Sequence, residues 1–245
     1  MAPRRRPSSG RRSAARQGAA PPRRVGERAG GRHILITGFE PFAGDRLNPS
    51  REIARALGGR RVDGTAVRAM VLPVHHETAR DLLAPALQAP GLTGVLQFGL
   101  AGGRARIAIE AMGVNTLDYM IPDARGDRRR DEPCASGGPA AYWSTLPLRA
   151  ILDGLTATGI PAYVSYTAGT YLCNFTLYST LHRLAGLGRD VPAGFIHVPY
   201  LPEMVATHGL DEPSMDLGVM LRAAEVALAA VASGRGGDAL APRAR

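Results

Sequence analysis

The chain has no lysine: every one of its 30 Lys-or-Arg positions among 245 residues is an arginine. Alanine, glycine and proline are abundant beside it, a bias that reads as GC-rich codon usage rather than as adaptation to a binding partner. Cysteine is scarce. Only Cys134 and Cys173 occur, which excludes a disulfide framework, and neither has the Cys/His spacing of a metal site. A reducing, cytoplasmic setting is expected, with no metal and no cofactor. No apolar run reaches the roughly 18 residues of a membrane span, and no charged start followed by an apolar core marks a signal peptide. Internal repeats are also missing. A chain of this length buries roughly 70% of its extended surface and needs no covalent staple, so one domain is the expectation.

The net charge of +9 is unevenly placed. Residues 1–32 carry ten arginines against Glu27, which gives +9, and the remainder carries twenty arginines against twenty acids, which gives zero. The folded part is therefore electrically balanced. Residues 1–31 have almost no large apolar side chains with which to offset their ordering entropy, so a disordered tail is expected there. A short flexible tail is expected at 234–245, and a catalytic domain at 32–233. The basic tail admits three readings: an arm for nucleic acid or another acidic surface, an organelle transit peptide, or an extension with no binding role. No aromatics interleave its arginines for base stacking, which argues against nucleic acid as a partner.

Between the tails, strand-like and helix-like segments alternate. Short apolar runs predict strands at His33–Thr37, Ala66–Pro73, Thr93–Phe98, Ala162–Tyr166 and Gly194–Val198. Helices are predicted at Pro49–Leu57, with Asn48 as N-cap and Pro49 at the first position, and at His76–Leu87, Leu148–Leu155, Phe175–Leu184 and Asp216–Val231. Arg106–Ala111 alternates, with Ile107 and Ile109 on one face and Arg106, Ala108 and Glu110 on a polar one. This order predicts a three-layer α/β/α sandwich around a mostly parallel mixed sheet. Ligands of such sheets sit at the carboxyl ends of the strands, so the loops after Thr37, Phe98, Tyr166 and Val198 are expected to share one rim.

Thr167–Asn174 (TAGTYLCN) places Cys173 after a small-residue turn, just before a predicted helix. Free N–H groups and the helix dipole favour a thiolate there; a buried cysteine acting as a small hydrophobe is the alternative. His197 lies in the apolar run GFIHV, as a base for that thiol or as a satisfied core histidine. His33, His75, His76 and His208 lack a matching nucleophile. His182, nine residues beyond Cys173 on the same helix, is about 13 Å along the axis and out of reach. A carboxylate must orient the imidazole; Glu110 and Glu203 are the first candidates, Asp118 and Asp123 the second. Cys134, in a polar loop, reads as an incidental surface thiol. GLAGGR (Gly99–Arg104) lacks the lysine of a phosphate-binding loop and reads as a turn permitting close backbone approach. Phe39 and Phe42, in TGFEPFAG, are either walls for a flat apolar ligand or core.

Taken in order, ITGFEPFAG (36–44), Asn48-Pro49-Ser50, GLAGGR, Ile109-Glu110 with Val114-Asn115, Ile121-Pro122-Asp123, GGPAAYWSTLP (137–147), SYTAGTYLCN (165–174) and GFIHVPYLPE (194–203) resemble the pyroglutamyl-peptidase I family. The resemblance spans about Ile34 to Val231. It implies a metal-free cysteine exopeptidase acting on peptides with an N-terminal pyroglutamate, with Cys173 as nucleophile, His197 as base and Glu110 as orienting acid, and the backbone N–H of Cys173 as an oxyanion donor. It implies a slot walled by Phe39, Phe42, Ile121 and Leu172, with the lactam read by backbone near Leu100 and by Asn48. An uncharged slot excludes an ordinary charged N-terminus, because burying an unpaired ammonium costs several kcal/mol. Family members often form tetramers, so a homo-oligomer is implied. Leu100 and Met120 stand where bacterial members commonly carry glutamine and arginine. The missing arginine implies weaker support for the tetrahedral intermediate, and a lactam-binding protein with little turnover is the alternative function.

Overall fold

The computed structural model describes residues 31–234. Apart from Gly31 and Gly234, the two expected tails lie outside the described residues. The elements run β1 (His33–Phe39), α1 (Pro49–Leu57), β2 (Arg61–Val62), β3 (Thr65–Leu72), α2 (His76–Gln88), β4 (Leu92–Leu100), β5 (Ile107–Glu110), β6 (Met112–Val114), β7 (Ala141–Trp143), α3 (Leu148–Ala157), β8 (Ala162–Ser165), α4 (Leu172–Gly186), β9 (Ala193–Val198), α5 (Pro202–His208) and α6 (Leu217–Ala232). Seven strands form one sheet in the order β2-β3-β1-β4-β9-β5-β8, and β6 and β7 pair separately.

The central strands are apolar on both faces because both faces are covered, as the unbroken burial of all seven residues of β1 illustrates. Ile34, Ile36, Leu96, Phe98, Ile109 and Ile196 pack with α1, α3 and α6 on one side. Leu35, Phe39, Val95 and Phe195 pack with α2 and α4 on the other. The two-residue period of a strand thus assigns Thr37, Gln97, Gly99, Glu110 and His197 to the α2/α4 layer. Gly38 points the opposite way, where a Cβ would stand 2.0 Å from the Ser50 carbonyl oxygen, so the absence of a side chain lets α1 lie directly on β1.

Helix α1 has the bounds its sequence predicts. Asn48 caps it by accepting from the Ser50 N–H at 3.1 Å and the Ser50 hydroxyl at 2.7 Å. One expectation about the rim fails. β1, β3, β4 and β9 are parallel, but β5 runs antiparallel to β9, and β8 follows β5. The carboxyl end of β8 therefore faces away from that of β9, and residues 166–171 must carry the chain back before α4 begins. No helix of the described residues is long and apolar enough to cross a membrane.

Candidate active site

Glu110 closes β5, and His197 lies on the neighbouring β9, where the antiparallel register sets it opposite Ala108. Both point into the α2/α4 layer, and His197 Nδ1 lies 2.7 Å from Glu110 Oε1. A carboxylate can only accept, so Nδ1 carries the proton and Nε2 keeps its lone pair for a substrate or nucleophile. Glu110 is fully buried and His197 nearly so. The same carboxylate oxygen accepts from Arg104 Nη1 at 3.0 Å. The Phe195 ring, centred 4.8 Å from the imidazole, fills its flank. Glu110 thus occupies a sealed face rather than an open polar one, with Arg104 as counter-charge. Arg104 was visible in the sequence only as the end of a glycine-rich turn. The other acid candidates are elsewhere: Glu203 and Asp118 are exposed, and Asp123 sits among His75 and His76.

Cys173 is reached through Gly99. Gly99 pairs with His197 across β4 and β9, and a Cβ on Gly99 would stand 2.8 Å from Cys173 Sγ and 2.6 Å from the Phe195 ring. The missing side chain admits the thiol beside the imidazole. Gly99→Ala is expected to cost about 1–3 kcal/mol by overpacking and to lower kcat by about 10²-fold, since an ångström of displacement between reacting groups has that effect. Urea unfolding and initial-rate kinetics measure the two.

Helix α4 starts earlier than its periodicity predicts, so Cys173 lies inside the first turn rather than before it. Tyr171 is the N-cap and no side chain caps the helix, so its first N–H groups remain open to a ligand. Asn174 holds this end in place. Its Oδ1 accepts from the Val114 N–H at 2.9 Å, and its Nδ2 donates to the Val114 and Thr116 carbonyls at 2.9 and 3.1 Å. Asn174→Ala should destabilise the fold by about 2–3 kcal/mol, because it strands partly buried backbone groups of Val114 and Thr116; chemical unfolding reads this out.

The thiol does not rest as the thiolate that a helix start suggests. Burial pushes Cys173 up to about 12 and the nearby Glu110 carboxylate adds to this, against Arg104 and the backbone N–H of Cys173 itself. Cys173 retains a little surface in the pocket, and burial there favours the neutral thiol over the thiolate. Its alkylation by iodoacetamide should therefore keep accelerating between pH 7 and pH 10, because each pH unit below the pKa multiplies the thiolate fraction about tenfold. Peptide mass spectrometry follows this reaction. A rate that levels off by pH 7 would mean a standing thiolate.

Phe39, Phe42, Asn48, Leu100, Leu172 and Cys173 line one cavity of about 250 Å³, together with Leu47, Val74, Gly102, Tyr171 and Tyr200. The charged member of this lining is Asp45, whose Oδ1 is 2.6 Å from His208 Nε2. Asn48 uses its carbonyl oxygen on Ser50 and one amide hydrogen on the Glu40 carbonyl, which leaves one N–H for the cavity. Ile121 is outside this lining and half-exposed. Met120 is 91% exposed. Cys134 is no surface thiol: it is half-buried, its Sγ lies 3.5 Å from the Val114 and Thr116 carbonyls, and burial raises it to about 12. A second cavity, of about 260 Å³, lies beside Cys134 and His182 and contains none of the groups around Glu110.

A thiol, a carboxylate-oriented imidazole and a helix start with no side-chain cap, together on an α/β sandwich, are the parts a cysteine hydrolase uses. The chain belongs to the pyroglutamyl peptidase family, which it matches over residues 32–234. It is 44% identical over 197 residues to the pyrrolidone-carboxylate peptidase of Yersinia pestis (strain Pestoides F), covering 80% of this chain and 91% of that one. A mutant pyrrolidone carboxyl peptidase from the hyperthermophile Pyrococcus furiosus superposes with a TM-score of 0.80 at 40% identity, over 82% of this chain and 99% of that one. The pyrrolidone carboxyl peptidase of Thermococcus litoralis gives 0.79 at 40% identity, over 82% and 94%.

Proposed function

We propose that the chain removes an N-terminal pyroglutamyl residue from peptides, with Cys173 as nucleophile, His197 as general base and acid, and Glu110 as the group that orients the imidazole. The observation that carries this is the Glu110–His197 pair beside Cys173 at a largely apolar cavity, in a chain of the pyroglutamyl peptidase family. The pyroglutamyl ring enters between Phe39, Phe42 and Leu172. The remaining Asn48 N–H and backbone near Leu100 read its lactam group, and Ile121 contacts the residue that follows.

His197 Nε2 takes the Sγ proton as sulfur bonds to the pyroglutamyl carbonyl carbon. The resulting oxyanion is held by the backbone N–H of Cys173. Collapse breaks the C–N bond, and the imidazolium returns its proton to the departing amine, leaving a thioester. Water, deprotonated by His197, attacks the thioester; free pyroglutamate and the thiol are released. No step requires a metal.

The test compares fluorogenic amides of pyroglutamate, proline and glutamate. Turnover of the first should exceed the others by about 10³-fold or more, since a site built to hydrogen-bond the lactam rejects analogues lacking it. Equal turnover of the prolyl amide would defeat the assignment. Residues 32–233 form the catalytic unit in this reading. The cytoplasm is the setting, supported by two free cysteines. The homotetramer implied by the family resemblance would be measured by light scattering.

A further inference from the structure

At the other end of the loop that carries Ile121, four side chains outside the catalytic pocket converge. His75 and His76, where α2 begins, face Asp123 and Asp127, and one ligand-type atom from each lies within 4.8 Å of all the others. His75 Nε2 is 3.4 Å from Asp127 Oδ2 and 4.0 Å from Asp123 Oδ2, and His76 Nδ1 is 3.7 Å from Asp123 Oδ2. The last separation is too long for a hydrogen bond. Both of its atoms, His76 Nδ1 and Asp123 Oδ2, are buried without a hydrogen-bond partner among the described residues. The Asp123 side chain has no exposed surface and the His75 and His76 side chains only 3% and 7%. Orphaned buried groups of this kind require an explanation.

A purely structural role accounts for half of the cluster. His75 Nδ1 caps α2 by contacting the Thr78 N–H at 3.2 Å and the Thr78 hydroxyl at 2.8 Å, and Asp123 Oδ1 accepts from the Arg125 and Asp127 N–H groups at 2.9 and 3.0 Å. These bonds leave His75 Nε2, His76 Nδ1 and Asp123 Oδ2 facing one another. Four ligands at 2.0–2.1 Å from a tetrahedral ion stand about 3.4 Å apart, so the pairs at 3.4, 3.7 and 4.0 Å, in a set that lies within 4.8 Å, would draw together on binding. Two carboxylates balance the charge of a divalent cation, and two imidazoles favour a transition metal over calcium or magnesium. On binding through Nε2, His75 Nδ1 would carry the proton, so its cap bond from the Thr78 N–H would give way to donation to the Thr78 hydroxyl, an outer contact of the kind that commonly orients a ligating imidazole.

We propose that His75, His76, Asp123 and Asp127 bind a divalent transition ion, with Zn²⁺ as the best match, which clamps the 118–131 loop to the start of α2. The clamp is structural, since these four residues do not line the cavity at Cys173, but its neighbours do. The Ala124 N–H donates to the Val74 carbonyl at 2.9 Å and the Tyr171 hydroxyl to the Pro122 carbonyl at 3.1 Å, and Val74 and Tyr171 both line that cavity.

The test is Zn²⁺ titration by calorimetry and thermal melting on the Cys173→Ala protein, so that the catalytic thiol cannot contribute. One ion per chain should bind, and the melting temperature should rise with free Zn²⁺. Asp127→Asn, at a half-exposed position where folding is insensitive, and His76→Gln should each weaken binding by roughly tenfold or more. Co²⁺ should give a tetrahedral visible spectrum without a thiolate charge-transfer band. No saturable binding, unchanged affinity in both variants, or a thiolate band would each overturn the site.

Discussion

Cys173→Ala is expected to reduce hydrolysis of a pyroglutamyl amide by about 10⁵–10⁶-fold, to the level left when a triad loses its nucleophile. The size follows from the chemistry. Without Sγ there is no thioester, and His197 has only water to activate across a gap shaped for sulfur. The fold should be unaffected, because alanine is the strongest helix former in the first turn of α4 and the change removes a single atom packed against Gly99. The variant should still bind a pyroglutamyl peptide, since Phe39, Phe42, Asn48 and Leu172 are untouched. Rates from the fluorogenic amide, with a melting curve on the same sample, test this. A residual rate within tenfold of the parent would show that Cys173 is not the nucleophile.

The elements that sequence resolves well are those whose cause is local. Asn48-Pro49 fixes the start of α1 because the cap and the proline act within one turn. Continuous apolar runs mark β1 and β9 because each is covered on both faces. What sequence misses depends on distant partners. The direction of β8 is set by pairing with β5, about fifty residues away along the chain, and no local pattern encodes it. β2 is two residues long and is joined to β3 through Asp63-Gly64, both at positive φ; the Asp-Gly pair was its one available signal. Helix α5, at seven residues, is too short for a periodic pattern.

The site divides the same way. Cys173, His197 and Glu110 stand out as residue types in ordered motifs. The environment of the thiol does not, because the helix start that favours a thiolate is a local feature and the burial that opposes it is a tertiary one. In the proposed mechanism a neutral thiol needs a base during attack, which makes the tautomer of His197 decisive. Arg104 and Asn174 were present in the motifs, but their partners, Glu110 and Val114, are assigned only by the fold.

Glu110→Gln should accordingly lower kcat by about 10³–10⁴-fold with little change in KM, although the side chain touches no substrate. The change is nearly isosteric, so packing is kept, but an amide can present N–H to the imidazole. Nδ1 then becomes the acceptor and Nε2 carries the proton, leaving no lone pair to receive the proton of Sγ; the same tautomer error in other triads has an effect of about 10⁴-fold. The carboxylate also loses the charge that stabilises the imidazolium formed in the transition state, and Arg104, 3.0 Å away, loses its counter-ion. Glu203→Gln is the paired control: Glu203 is exposed at the start of α5 and should leave the rate unchanged. Steady-state kinetics separate the cases, and a Glu110→Gln enzyme within tenfold of the parent would mean that the imidazole is oriented by something other than this carboxylate.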